Sequence, residues 1–156
     1  MKNYSQVCLD LKSTKFEFMK IIKIETKVKA SLSHVWDCWT NTEDIMAWNH
    51  ASDDWHCPAA ENNLVPGGNF TYRMAAKDGS VSFDFHGTFQ KVEPMKLLSY
   101  YIEDGRYVEV KFEQEGDYVN IIETFEPEEV NSLDLQQQGW QLILNNFKAH
   151  AELTGA

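Results

Sequence analysis

The chain has 156 residues, the size of one ordinary domain, and 43% of them are hydrophobic, which is enough for a continuous core. Its formal net charge of −10 argues against nucleic-acid phosphates and anionic membrane surfaces as partners, because both are bound through lysine and arginine. Aromatic residues make up 13% of the chain, and side chains of this kind fill a large core or line a pocket.

Residues 1–18 differ from the rest of the chain, since they show no clear helical or strand periodicity. We interpret them as an appended or weakly ordered extension, and residues 19–156 as one domain. The alternative is that the extension forms an extra strand or helix that packs on this domain. The same residues lack the apolar segment and cleavage site of a signal peptide, so we expect no export.

The next segment predicts a strand followed by two short helices. Residues 22–28 alternate between apolar and charged side chains, as a half-buried strand does. Ser31 or Ser33 is a typical N-cap for a first helix, and Thr42 opens a second helix that ends near Trp48. A connection from Asn49 to Pro58 follows, and a Pro-Gly-Gly turn at 66–68 precedes the sheet.

Asp78-Gly79 predicts the first hairpin, because Asp-Gly is a preferred pair for a two-residue turn. The resulting register places Met74 opposite Phe83, Tyr72 opposite Phe85 and Phe70 opposite Gly87 on one apolar face. It also places Arg73 opposite Asp84 on the other face, and this opposite-charge pair favours the alignment.

Asp104-Gly105 and Glu115-Gly116 predict two further hairpins in the same way. The first places Tyr101 beside Val108 and Ser99 beside Val110. The second places Phe112 beside Val119, Val110 beside Ile121, and Val108 beside Glu123. The opposite face carries Glu109, Lys111 and Glu113 and must face water, so Glu123 is the one charge on the inner face.

A long helix is predicted from Asn131 or Ser132 to about Leu153. It carries an apolar stripe at helical spacing, formed by Trp140, Ile143, Leu144, Phe147 and Ala151. The inner face of the sheet is the large apolar surface that this stripe can cover. The sequence therefore predicts an α+β fold in which a curved antiparallel sheet wraps around a long C-terminal helix.

Glu123 is the candidate functional residue, because burial disfavours a charged carboxylate and raises its pKa. A proton donor, or a group that polarises a ligand, would have this property. The alternative is a structural glutamate that is paired with a polar neighbour or hydrated at a cavity mouth, and Tyr101 and Gln137 are the neighbours within reach. One carboxylate without a partner is not a catalytic constellation.

His50, Asp53, Asp54, His56 and Cys57 resemble a set of metal ligands in composition. An extended backbone would place Asp53 and Cys57 on one side and Asp54 and His56 on the other, which divides the ligands between two faces. We therefore expect no metal ion at these residues and no cofactor.

Four motifs occur in an order that resembles the SRPBCC (START-like) superfamily, within it the branch of activator of heat-shock-protein ATPase homologues, also called polyketide-cyclase-like. They are WNHASDDWHCPAAENNLVPGGNFTYRMAAKDGSVSFDFHGTF at 48–89, YYIEDGRYVEVKF at 100–112, ETFEPE at 123–128 and QQQGWQLILNNFKAH at 136–150. The resemblance covers about residues 20–153. It implies the helix-grip fold, with a cavity between the sheet and the C-terminal helix.

This resemblance implies that the chain binds a small hydrophobic ligand, whose identity the sequence does not give. The alternatives are a cyclase- or hydrolase-like enzyme that uses Glu123, and a module that interacts with a chaperone, as the branch name implies. We expect a binding protein rather than an enzyme, as a monomer or a weak homodimer. The side chains expected to contact the ligand are Trp48, Tyr72, Met74, Phe83, Phe85, Tyr101, Val108, Val110, Ile121, Glu123, Trp140, Leu144 and Phe147.

The three cysteines, Cys8, Cys38 and Cys57, are an odd number without the Cys-x-x-Cys spacing of metal sites. A reducing compartment is the simple interpretation, so we expect the protein to be cytoplasmic. The apolar runs are too short for a membrane span.

Overall fold

The computed structural model describes residues 21–156, so the expectation for residues 1–18 lies outside the described residues. These residues form one seven-stranded antiparallel sheet and three helices, and the sheet curls into a half-barrel. The elements in chain order are β1 (Ile22–Val28), α1 (Leu32–Thr40), α2 (Thr42–Trp48), β2 (Trp55–Asn62), β3 (Asn69–Ala76), β4 (Ser82–Glu93), β5 (Leu97–Ile102), β6 (Tyr107–Glu115), β7 (Tyr118–Phe125) and α3 (Leu133–Thr154).

Six strands run as a meander from β2 to β7, and β1 joins the meander at its far end by pairing with β7. The helix α3 packs on β1 and also meets α1 and α2, so the three helices cover the concave side of the sheet. This is the helix-grip arrangement that the sequence predicted, with two short helices after the first strand. No helix within 21–156 is long and apolar enough to cross a membrane.

Side-chain caps define where two of the helices begin. The Ser31 hydroxyl accepts a hydrogen bond from the His34 backbone N–H, and the Ser132 hydroxyl accepts one from the Leu135 N–H. Each bond satisfies an N–H that the first helical turn leaves without a partner. Of the two serines considered for α1, Ser31 is therefore the cap, and Ser132 rather than Asn131 caps α3.

The first hairpin has the predicted register. Arg73 lies opposite Asp84, Tyr72 opposite Phe85, and Met74 opposite Phe83. The Arg73 guanidinium donates to the Asp84 carboxylate at 3.1 Å. The turn places Gly79 at φ 79°, a conformation that glycine adopts without strain.

The predicted pairings of Tyr101 with Val108 and of Ser99 with Val110 are wrong by one residue. Val108 lies opposite Tyr100, and Tyr101 lies opposite Tyr107. The cause is a three-residue loop, residues 103–105, with Gly105 at φ 90°, where the sequence predicted a two-residue turn. Because side chains alternate along a strand, this shift turns Tyr101 outward, where 43% of it is exposed.

The predicted pairings across the β6–β7 hairpin are wrong by two residues. The loop is Gly116-Asp117, so Phe112 lies opposite Ile121, Val110 opposite Glu123, and Val108 opposite Phe125. A shift of two residues keeps every side chain on its predicted face. Glu123 therefore still points to the concave side, where it is 6% exposed.

The strand β2 replaces part of the predicted connection from Asn49 to Pro58. Pro58 lies in this strand, where the register with β3 shifts between His56 and Ala59. Proline is tolerated there because β2 is an edge strand and the bulge removes the need for its N–H. Because of this proline, the strand was not predicted from the sequence.

The apolar stripe of α3 divides between two surroundings. Its C-terminal half is fully buried, and the Phe147 ring packs against Trp39 of α1 and Trp48 of α2 at centroid distances of 4.7 and 5.0 Å. Its N-terminal half carries Trp140, whose ring stacks on Phe125 of β7 at 3.8 Å. The dense aromatic core thus lies at one end of the helix, and the other end borders the site described next.

Candidate functional site

A cavity of about 200 Å³ lies between the inner face of the sheet and the helices. Eight of the residues expected to contact a ligand line it, namely Trp48, Tyr72, Met74, Phe83, Phe85, Glu123, Trp140 and Leu144. Phe83, of which 51% is exposed, lies where the cavity meets solvent. The cavity therefore extends from an open aromatic rim to a buried carboxyl group.

Five other residues of that set lie elsewhere. Four of them, Val108, Val110, Ile121 and Phe147, are fully buried and belong to the packed core behind the cavity. Tyr101 is on the outer face for the reason of register given above. The sequence overlooked eight lining residues: Trp39, Ile45, Asn49, Phe70, Phe89, Leu98, Tyr100 and Ile143.

The strands β3 and β4 form the aromatic wall. Phe70 contacts the rings of Tyr72, Phe89 and Tyr100 at centroid distances between 4.9 and 5.1 Å. Gly87 lies opposite Phe70, and a Cβ atom there would come within 2.9 Å of the Phe70 ring and 2.2 Å of the Tyr101 carbonyl oxygen. The glycine is thus required by the close approach of this ring to the neighbouring strand.

The helices form the opposite wall. Trp140 of α3 meets Phe85 of β4 edge to face at 6.2 Å, so helix and sheet are in aromatic contact beside the open rim. The Trp48 indole N–H donates to the carbonyl oxygen of Cys38 at 2.9 Å, which fixes α2 against α1. These contacts hold the wall side chains in place while leaving the space between them open.

Glu123 lies at the base of the cavity with apolar neighbours on both sides. Ile24 of β1 and Val110 of β6 lie opposite it, and both are buried. Within residues 21–156 no hydrogen bond or ion pair reaches its carboxyl group. Of the two predicted neighbours, Gln137 donates instead to the Lys23 carbonyl oxygen, and Tyr101 faces outward.

Loss of hydration raises the pKa of Glu123 to about 8, from an ordinary value of 4.5. Burial raises the pKa of Tyr100 well above its ordinary value, and the nearby Glu123 adds to that rise. At neutral pH the base of the cavity therefore carries a protonated carboxylic acid and a protonated phenol. A carboxylic acid in this state can both donate and accept a hydrogen bond.

A second polar position lies in the β3 wall. The Asn62 amide donates to the Tyr72 hydroxyl oxygen at 3.2 Å and to the Thr40 carbonyl oxygen at 2.9 Å. Burial raises the pKa of Tyr72 to about 12, so this phenol keeps its proton. Since its oxygen accepts from Asn62, the Tyr72 O–H is left to donate.

Four of the five residues considered as metal ligands follow one another in β2 and the turn before it, whereas His50 lies nearer the end of α2. Cys57 points into the core, and its thiol contacts the Ala59 carbonyl oxygen at 3.5 Å. Asp53 and Asp54 are exposed in the turn before β2, where Ser52 donates to Asp54. His56 follows on the strand itself.

A family profile described as "Activator of Hsp90 ATPase homolog 1-like protein" matches residues 29–152, which include all the strands except β1 and all three helices except the last two residues of α3. The chain belongs to this family. The match confirms the resemblance drawn from the sequence motifs. A comparison with curated proteins gives no significant match.

Two solved structures are similar in both sequence and fold. An AHSA1-like protein from Aeromonas hydrophila is 43% identical, with a TM-score of 0.83 over 87% of this chain and 94% of that chain. A protein of Cytophaga hutchinsonii is 50% identical, with a TM-score of 0.74 over 85% of this chain and 92% of that chain. CalU16 from Micromonospora echinospora, 23% identical with a TM-score of 0.61 over 85% of this chain and 76% of that chain, shares the fold.

Proposed function

We propose that this protein binds a small hydrophobic ligand that carries one polar group, in the cavity between the sheet and the C-terminal helix. The observation that carries the proposal is Glu123, a buried carboxyl group that meets the cavity and has no hydrogen-bond partner among the described residues. Its carboxyl group borders the cavity, so a ligand with one polar group would supply the hydrogen-bond partner that the described side chains do not.

The size of the cavity limits the ligand. A cavity of roughly 150 Å³ is enough for benzene, and the volume here is about 200 Å³. The ligand is therefore of the order of one or two rings, unless a chain extends from it through the rim at Phe83. Its polar atom would face Glu123, and its rings would pack between Trp140 and the β3–β4 wall.

The enzyme alternative requires a second polar group that converges on Glu123. Tyr100 also lines the cavity, but no hydrogen bond joins the two side chains. Binding without turnover is the function that this single carboxyl group supports best. The family description supports the chaperone alternative. The open cavity, in place of a filled core, favours ligand binding over that alternative.

The net charge and the cysteines indicate which partners and which compartment we propose. A net charge of −10 does not suit nucleic acid or an anionic membrane as a partner. Cys38 and Cys57 are buried free thiols, as in proteins of a reducing compartment, and we propose a cytoplasmic location.

Fragment binding monitored by NMR tests the proposal with a matched pair of variants on one helix. Leu144 lines the cavity, whereas Leu142 lies on the outer face of α3 and is 48% exposed. A one- or two-ring fragment with a hydrogen-bonding group should shift the resonances of cavity residues in the wild type. Leu144→Trp fills the space and should abolish the shifts, and Leu142→Trp should leave them unchanged.

The same fragments test the role of the carboxyl group. Each polar fragment should bind more tightly than its hydrocarbon analogue in the wild type, and Glu123→Gln should alter that preference. The proposal fails if no fragment shifts cavity resonances, or if Leu144→Trp binds the fragments as the wild type does.

A further inference from the structure

A group of metal-ligating side chains lies outside the cavity, where α1, α2 and the C-terminal end of α3 meet. Cys38, Asp44 and His150 each contribute one ligand atom, and the three atoms lie within 4.8 Å of one another. The His150 Nε2 and an Asp44 carboxylate oxygen are 2.8 Å apart. Cys38 and Asp44 lie on the consecutive helices α1 and α2, and His150 lies on α3, 106 residues after Asp44.

His34 lies one helical turn before Cys38 and is a neighbour of its sulfur. Its Nε2 atom is 3.3 Å from the Cys38 sulfur, and it is also 3.0 Å from the Ala151 carbonyl oxygen and from the Thr154 hydroxyl. Because these contacts engage the Nε2 atom, His34 packs beside the group of three and is not one of its ligands. Cys38 is 2% exposed, and the side chains of Asp44 and His150 are 25% and 18% exposed, so the group is largely sheltered from water.

We propose that Cys38, Asp44 and His150 bind one divalent transition-metal ion of the zinc class, with water in the fourth position. Thiolate, imidazole and carboxylate are the ligands that zinc takes in proteins, whereas magnesium and calcium prefer oxygen alone. The thiolate and the carboxylate together balance the two positive charges of the ion, which lowers the cost of holding it in a sheltered place.

The three ligand atoms are close enough to converge on one ion after small side-chain movements. Metal–ligand bonds of about 2.0–2.3 Å place neighbouring ligand atoms roughly 3.3–3.6 Å apart. The three atoms lie within 4.8 Å of one another. The His150–Asp44 hydrogen bond has to open by about half an ångström to give way to the metal. On binding, the Cys38 thiol releases its proton to solvent, and His150 binds as a neutral imidazole.

A nucleophilic role for Cys38 is a weaker explanation of the same group. A reactive thiol is partly exposed and held as a thiolate. Burial raises the pKa of Cys38, a hydrogen bond with Thr154 opposes this rise, and Asp44 and Asp37 add to it. The sulfur is also hidden from solvent. A metal ion offsets the raised pKa of this thiol, because it binds the thiolate directly. The site would join the three helices that form one wall of the ligand cavity.

Cobalt binding tests the proposal, because a thiolate ligand and tetrahedral geometry both leave a signature in the absorption spectrum. The full chain carrying Cys8→Ser, freed of metal with a chelator, should bind one equivalent of Co²⁺ with a thiolate-to-cobalt charge-transfer band and intense visible bands. Zn²⁺ should displace the cobalt stoichiometrically. Titration calorimetry then measures the zinc affinity of each variant in the same background.

Cys38→Ser should remove the charge-transfer band, and His150→Gln should weaken zinc binding by about tenfold or more. Cys57→Ser and His56→Gln, which alter a thiol and an imidazole elsewhere in the fold, should bind as the parent does. If Cys38→Ser does not fold, His150→Gln alone decides, since that side chain is partly exposed. A parent protein without the charge-transfer band, or a His150→Gln protein with unchanged zinc affinity, would overturn the proposal.

Discussion

Replacing Glu123 by glutamine tests the protonation state of the cavity base through its effect on stability. The native pKa of Glu123 is about 8, against 4.5 for an ordinary glutamate. Below about pH 4.5 the carboxyl group is protonated in both folded and unfolded chains, so it adds no pH dependence. As the pH rises towards 8, the unfolded chain releases the proton and the folded chain retains it, and the wild type loses stability.

Between pH 4.5 and about pH 8, each increase of one pH unit lowers the free energy of unfolding of the wild type by about 1.4 kcal/mol. Glutamine has nearly the same shape and does not titrate. The stability of Glu123→Gln relative to the wild type should therefore increase with pH, by up to about 3 kcal/mol between acid and neutral solution. The slope is the informative quantity, because any fixed difference in packing or hydrogen bonding between the two side chains cancels from it.

Urea unfolding followed by tryptophan fluorescence, at pH values from about 4 to about 9, measures this slope. Glu113→Gln is the matched control, since Glu113 is exposed on the outer face of β6 and its variant should stay within about 0.5 kcal/mol of the wild type. Parallel pH curves for the wild type and Glu123→Gln would refute the account of a desolvated, partnerless carboxyl group.

Three further predictions concern the fold around the site, and each is checked by urea unfolding. Gly87→Ala should destabilise the protein by about 1–3 kcal/mol through overpacking. Gly139→Ala should instead stabilise α3 by about 0.5–1 kcal/mol, because nothing lies within 4 Å of the added Cβ. Equal effects of the two substitutions would contradict the stated contacts. Tyr100→Ala should cost about 3–5 kcal/mol, and Tyr101→Ala under about 1 kcal/mol; the reverse order would restore the register predicted from the sequence. Ser132→Ala should cost about 1 kcal/mol, and an unchanged midpoint would argue against its role as an N-cap.

The features that the sequence predicts well depend on local chemistry. The β3–β4 register follows from Asp78-Gly79 and is supported by the Arg73–Asp84 pair. The long helix follows from its apolar stripe, and its first residue lies within two positions of the predicted start. In both cases the deciding residues lie within one short segment of the chain.

The two errors of register have a common physical origin in hairpin loops. An Asp-Gly pair fits both a two-residue turn and a three-residue loop with glycine at positive φ, and the choice depends on neighbouring strands. At Asp104-Gly105 the longer loop places Tyr100 at the cavity, where the sequence predicted Tyr101. At the β6–β7 hairpin the error was an even number of residues, so Glu123 kept its face. Cys38, Asp44 and His150 have no sequence pattern in common, since tertiary packing alone brings them together.

Native mass spectrometry of the wild type, purified under non-denaturing conditions from the organism that makes it, tests the central claim most directly. The protein should carry an additional mass equal to one small molecule of about one or two rings, and Leu144→Trp expressed in the same host should lack it. A fragment shown by NMR to bind the cavity serves as the reference for survival in the spectrometer. Wild type that appears as the bare chain, under conditions that retain the reference fragment, would contradict the account.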